Sequence, residues 1–332
     1  MEINGNHPAE ADYDTSKFHV IVVTAYIKVL IISYGTIELP VKIIQLLNAF
    51  TPQNELNRFR EVYLVMELMS HNLHEVISKL RLDHKTLSFF VYQMLCAIKH
   101  LHNSGDLKPS NIVVNDRCIL KVLDFGLARK KTVDTAMRMS DYVVTRYYRA
   151  PEVILGIPYS EKVDIWSVGC IFAEMINHRV LFPGLDRVDQ WTKIINVMGT
   201  PSEDFISQLG SSASVYVRSL PRQTGKSIEE IAPDVNFLSN TENARANLTA
   251  ECARDLLAKM LVINPDNRYS VEEALNHPYV KVWFRDDEVN APQSENRYRE
   301  EIDNADKQLA EWKALIFEEV KQYEQRHDIF GS

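Results

Sequence analysis

The chain has 332 residues, of which 45% are hydrophobic and 25% charged, ordinary values for a globular protein with a sizeable core. A net charge of -8 argues against bulk binding to nucleic acid or to an anionic membrane surface. The four cysteines, Cys96, Cys118, Cys170 and Cys252, stand too far apart for a zinc site or a disulfide framework, so a reducing compartment fits.

Residues 1–17 are polar and acidic and predict a loose segment. Phe18 to Tyr34 is strongly apolar, but His19 and Lys28 interrupt it and it is short for a membrane span. Acidic residues precede it and no small-residue cleavage site follows, so it does not read as a signal peptide. Its Val, Ile, Thr and Tyr favour one or two buried strands over an anchor. Val41 to Phe50 and Val62 to Leu68 read as strands joined by a polar loop. Leu87, Val91, Met94, Leu95, Ile98 and Leu101 recur at helical spacing, and Asn103-Ser104-Gly105 is a stop signal. Two short strands, 112–114 and 119–123, flank the turn Asn115-Asp116-Arg117. A polar loop runs from beyond Arg129 to about Tyr142. Val163 to Ile176 is apolar nearly all round, hence a buried helix. The last helix, 302–323, sets Leu309, Trp312, Ile316 and Val320 on one face. Strands first and helices after suggest a small β-rich part with a larger α-rich part.

The chemistry is concentrated in Asp106-Leu107-Lys108-Pro109-Ser110-Asn111, followed across the short-strand pair by Asp124-Phe125-Gly126. Phosphoryl transfer asks a protein mainly for positioning and charge neutralisation. One carboxylate must orient an attacking hydroxyl, while a second carboxylate and an amide oxygen hold Mg²⁺. Any one of these triplets would be an ordinary polar turn; the ordered set is not. Ala150-Pro151-Glu152 closes the loop that Asp124 opens.

This order resembles the protein-kinase signature of catalytic loop, metal-binding triplet, activation segment and closing triplet. Thr51-Pro52-Gln53, VMELM at 65–69, YVVTRYYRAPEVILG at 142–156, VDIWSVGCI at 163–171 and LFPG at 181–184 narrow it. They are similar to MAP kinases of the stress-activated, c-Jun N-terminal kinase-like branch, over roughly residues 41–325. The resemblance implies an α+β, bilobal protein-kinase-like fold with a truncated β-rich N-lobe and a largely intact helical C-lobe. It implies a divergent segment at 1–40, a kinase-like domain at 41–280 (N-lobe remnant 41–69, C-lobe 70–280) and a MAP-kinase-type extension at 281–332.

Roles follow by resemblance. Asp106 orients the substrate hydroxyl and Lys108 steadies the transferring phosphate. Asn111 and Asp124 hold Mg²⁺, and Met66, Glu67, Met69 and Asn72 lie where ATP is gripped. Ser140 and Tyr142 accept phosphate in the activation loop, with Arg146 and Arg149 placed to pair with it. Cys118, Asp286, Asp287 and Glu288 lie where basic-apolar partner peptides dock, although an acidic group can equally be a solvated surface cluster. Glu152 should meet Arg268, and Asp164 the backbone of the catalytic loop. The implied cofactors are ATP and Mg²⁺. The implied partners are an upstream dual-specificity MAP kinase kinase and, through the docking groove, protein substrates and phosphatases, with neither nucleic acid nor membrane. The implied location is the cytoplasm, with the nucleus open.

Four departures weigh on this. No Gly-x-Gly-x-x-Gly occurs, although only glycine lets backbone approach phosphates so closely. Ala25-Tyr26-Ile27-Lys28 only mimics the lysine strand, and Glu38 is too near to be the helical partner. Gly105 runs straight into Asp106, without the family's His-Arg. Ser140-Asp141-Tyr142 replaces the usual Thr-x-Tyr. Beside a kinase that phosphorylates Ser or Thr before Pro, the sequence therefore leaves open a catalytically impaired docking module and the product of an incomplete gene. The last helix, which the family packs on the small lobe, must find Phe18 to Tyr34 or stay wet.

Overall fold

A computed structural model describes residues 18–23 (backbone only), 42–100, 107–123, 146–238, 246–290 and 308–326. The strands are β1 (Phe18–Val23), β2 (Leu46–Phe50), β3 (Val62–Glu67), β4 (His71–Asn72), β5 (Ile112–Val114) and β6 (Leu120–Val122). The first helices are α1 (Leu73–Lys79), α2 (His84–His100), α3 (Pro151–Leu155), α4 (Lys162–Asn177), α5 (Arg187–Met198), α6 (Glu203–Gln208) and α7 (Ser211–Ser219). They continue with α8 (Ile228–Ile231), α9 (Ala250–Met260), α10 (Val271–Leu275), α11 (Pro278–Lys281), α12 (Asp286–Val289) and α13 (Leu309–Arg326).

The chain forms two compact units. The smaller gathers Met1–Ile37, Ile44–Met69 and Asn296–Ser332; the larger holds Glu38–Ile43 and Ser70–Glu295. In the smaller unit an antiparallel sheet runs β1-β3-β2, with β1 in unbroken register on β3 from Phe18↔Glu67 to Val23↔Val62. The first part of the apolar run is thus a strand, as its β-branched composition predicts. Lys28 lies outside the described residues. The strand expected from Val41 shortens to Leu46–Phe50, with a bulge between Leu46 and Asn48. The upstream Lys42 and Ile43 belong to the larger unit.

Helix α13 does find a surface, and it is β2 and the following loop. Tyr323 donates to Leu46 O (3.1 Å), Glu324 Oε1 accepts the Thr51 amide (2.9 Å), and the Phe59 and Phe317 rings meet edge-on at 5.2 Å. The apolar stripe expected on this helix is partly right: Trp312 and Val320 are buried, whereas Leu309 is 79% exposed.

The larger unit is built around α4, whose burial on nearly every side follows from its largely apolar sequence. Trp166 stacks on Phe182, and Phe172 packs on Tyr279. Side-chain caps start many of the surrounding helices: Asn72, Asp186, Ser202, Ser227, Thr249 and Ser270 each accept an amide of the first turn. A second antiparallel sheet runs β4-β5-β6. The α+β class and its split into a small sheet-bearing part and a larger helical part agree with the sequence. Among the described residues no helix is long and apolar enough to cross a membrane.

Candidate active site and docking surface

The short-strand pair read from the sequence is a hairpin, with Ile112 opposite Val122 and Val114 opposite Leu120. A single 3₁₀ turn, Pro109–Asn111, feeds it, closed by the Asn111 amide on Lys108 O (2.9 Å). At the same end the Leu123 amide donates to Asn111 O at 2.8 Å. Asn111 and the position that precedes Asp124 are therefore hydrogen-bonded neighbours. Asp106 and Asp124 themselves, like Ser140 and Tyr142, lie outside the described residues.

The Asn111 side chain carries a second observation. Its Nδ2 is buried and has no hydrogen-bond partner among the described residues. A buried amide nitrogen calls for an oxygen acceptor, which a carboxylate or a phosphate supplies. Its side-chain oxygen is the hard donor that Mg²⁺ prefers. With Lys108 half-buried three residues earlier, the residues present fit an Mg²⁺-phosphate group.

Of the residues expected to grip ATP, Met66, Glu67 and Met69 belong to the smaller unit and Asn72 to the larger. Met66 and Met69 are buried. The Glu67 carboxylate accepts the Gln45 amide (3.0 Å) and so ties the end of β3 to the approach of β2. Asn72 spends its side chain on α1, accepting the Glu75 amide and donating to the Glu75 carboxylate, each at 2.9 Å.

Beyond the activation segment, Arg146 opens a 3₁₀ turn (Arg146–Tyr148) and donates to Leu185 O at 2.8 Å; Arg149 follows, half-buried. The expected Glu152–Arg268 contact is present: two hydrogen bonds of 2.7 and 2.9 Å. Arg268 also donates to the carbonyls of Val262, Lys162 and Ile263, so every guanidinium N–H is used, and its plane lies 5.2 Å from the Trp166 ring centre. Asp164 is buried.

One pair beneath this region was not read from the sequence. Tyr148 donates to Glu174 Oε2 at 2.7 Å inside the core, and burial raises the Glu174 carboxyl above the usual range. A glutamate within the apolar stretch Val168–Ile176 was the available signal.

Two of the proposed docking residues, Cys118 and Glu288, are bonded to α2. Cys118 sits in the left-handed region (φ 59°) of the hairpin turn, where Asn115 Oδ1 accepts the amides of Arg117 and Ile119. Gln93 binds both edges of this turn, donating to Cys118 O (2.9 Å) and accepting the Leu120 amide (3.0 Å). Further along α2, Tyr92 donates to Glu288 Oε2 at 3.1 Å and Lys99 to Asn290 at 3.0 Å. Asp286 and Asp287 are exposed on α12, whereas Glu288 is turned inward. Next to Tyr92, burial pushes the Cys96 thiol up to about 11, so it is an inert core group.

The protein kinase domain family matches residues 37–280. GLH-binding kinase 1 of Caenorhabditis elegans is 76% identical over 299 residues, covering 89% of this chain and 76% of that protein. The stress-activated protein kinase JNK of Drosophila melanogaster is 55% identical over 286 residues, covering 85% of this chain and 76% of its own.

Proposed function

The chain belongs to the protein kinase family, in its stress-activated MAP kinase branch, and we propose that it transfers phosphate from ATP to Ser or Thr hydroxyls that precede proline. Its relatives are kinases by name and lend no support to a docking-only module. The observation that supports the site assignment is the Leu123–Asn111 hydrogen bond, because Leu123 immediately precedes the Asp124-Phe125-Gly126 triplet in sequence.

On this reading Asp106 orients the attacking hydroxyl and Lys108 steadies the phosphoryl group in flight. Asn111 and Asp124 hold Mg²⁺, which when bound neutralises charge on the ATP phosphates. Met66, Glu67, Met69 and Asn72 mark the nucleotide's adenine and ribose side. Asn72 would reach a ribose only through the donor capacity its capping bonds leave over. An upstream dual-specificity MAP kinase kinase would modify Ser140 and Tyr142, and the added charge would order the loop through Arg146 and Arg149. Substrates and phosphatases would dock along Cys118, Asp286 and Asp287. In domain terms, 41–280 is the kinase domain and 281–332 the extension that lies beyond it, in a protein of the cytoplasm and nucleus.

The test is phosphate transfer from labelled ATP to a Ser/Thr-Pro peptide, with Mg²⁺ titrated. Transfer by the wild-type chain that vanishes in Asp106→Asn supports the assignment. Equal transfer by both proteins would overturn it.

A further inference from the structure

Strand β6 is the edge of its sheet, and its last residues lead directly to Asp124. Two consecutive amides at this point are gripped from opposite sides. The Leu123 amide donates inward to Asn111 O at 2.8 Å, and the Val122 amide donates outward to Lys42 O at 3.0 Å. Ile43 completes the outer contact as an isolated parallel bridge to Val122. One bridge is too short to hold a segment against its conformational entropy. Something else must anchor Lys42.

The anchor is its own side chain. Lys42 is only 4% exposed, and its ammonium lies 3.5 Å from Glu288 Oε1, which is 14% exposed. A buried ammonium without a counter-charge is expelled or loses its proton, so Glu288 keeps Lys42 in place. Glu288 is itself fixed from α2: Tyr92 donates to Oε2 at 3.1 Å, and His100 Nε2 donates to its backbone carbonyl at 3.1 Å. Tyr92 in turn accepts the Arg285 amide at 3.1 Å. The neighbouring acids differ. Asp286 accepts from Asn290 and Asp287 pairs with Arg285, both at the surface.

We propose that Lys42 and Glu288 form an internal clamp that positions the end of β6, making both of them positioning residues for the Asn111–Leu123 edge and withdrawing Glu288 from the docking surface. The link to metal binding rests on the site assignment above; the clamp itself rests on the contacts just given. Lys42 and Glu288 are far apart in sequence and neither belongs to a kinase motif.

The experiment uses the full chain with Glu288→Gln, which keeps the shape and an acceptor for Tyr92, and Lys42→Met as a second variant. Amide hydrogen exchange is read at Val122 and Leu123, and Mn²⁺ binding in the presence of ATP is read by electron paramagnetic resonance. Exchange at Val122 should quicken on the order of tenfold in both variants, with α4 amides unchanged. Mn²⁺ binding should weaken several-fold. Asp286→Asn with Asp287→Asn should leave Val122 as it is. Unchanged protection of Val122 in both variants, or an equal loss throughout α4, would overturn the clamp. Faster exchange at Val122 in a chain whose wild type binds no Mn²⁺ with ATP would uphold the clamp and remove the metal-site assignment instead.

Discussion

Arg268 holds Glu152 through two charge-assisted hydrogen bonds with neither side chain exposed to solvent. The pair ties the closing triplet of the activation segment to the turn after α9. Removing one partner strands the other charge in the core, at a cost of about 3–5 kcal/mol. Arg268→Met and Glu152→Leu should each lower the urea midpoint sharply. The double variant should recover much of the loss, because a buried pair can often be exchanged for apolar residues. Additive losses would show that the two residues act independently.

Asn111 should separate stability from activity. Its amide nitrogen is buried without a partner among the described residues, a condition that costs about 1–3 kcal/mol. Asn111→Leu should therefore melt no lower than wild type, while phosphate transfer falls about 10²- to 10³-fold. Melting and turnover measured on one preparation check this. A parallel fall in both would make Asn111 a packing residue.

Acid should destabilise the larger unit. Tyr279 is held between two buried histidines: its amide donates to His277 Nδ1 (3.2 Å), and its hydroxyl lies 3.0 Å from His84 Nδ1. Burial lowers the pKa of both rings. It outweighs Asp83 beside His84, where Arg254 adds to the lowering, and it outweighs Asp255 beside His277, where Lys259 does the same. The folded state thus prefers neutral imidazole, and the unfolded state takes up protons first as pH falls below about 6.5. Stability is full above that value and declines toward the lowered folded pKa. The urea midpoint should be lower at pH 5 than at pH 8, and a flat profile would refute the prediction.

Tyr148→Phe tests the core pair with Glu174. Burial already raises that carboxyl, and the Tyr148 hydrogen bond partly offsets the rise. Without the hydroxyl the pKa climbs further. A raised carboxyl binds its proton in the folded state, so stability falls as pH rises from the unfolded value toward the folded one. The variant should lose about 1–3 kcal/mol, more at pH 8 than at pH 5. Melting curves at the two pH values would show it.

Much of the helical unit was readable because its signals are local. The apolar run of α4 and the ordered triplets around Asn111 each sit within a few residues, and their types dictate burial or chemistry. The Glu152–Arg268 contact came only from resemblance, since nothing in either segment points to the other. Lys42 was illegible for a different reason: inside an apparent strand its amine is expected to reach solvent, and only the fold brings Glu288 to it. The inward turn of Glu288 was illegible in the same way, because a run of three acids does not say which one turns inward. The start of the presumed strand at Val41 failed because the chain changes units between Ile43 and Ile44, a boundary that hydrophobic pattern does not mark.

The smaller unit draws on three stretches of chain, and the Thr51–Glu324 bond alone spans 273 residues. During synthesis β2 is made early, and Glu324 of the helix that covers it follows Thr51 by 273 residues. At about 5–20 residues per second, β2 waits tens of seconds for that cover. The helical unit, continuous from Ser70 to Glu295, can collapse in the meantime. Nascent chains should accordingly depend on chaperones at β2, and a stop codon before α13 would make that dependence permanent.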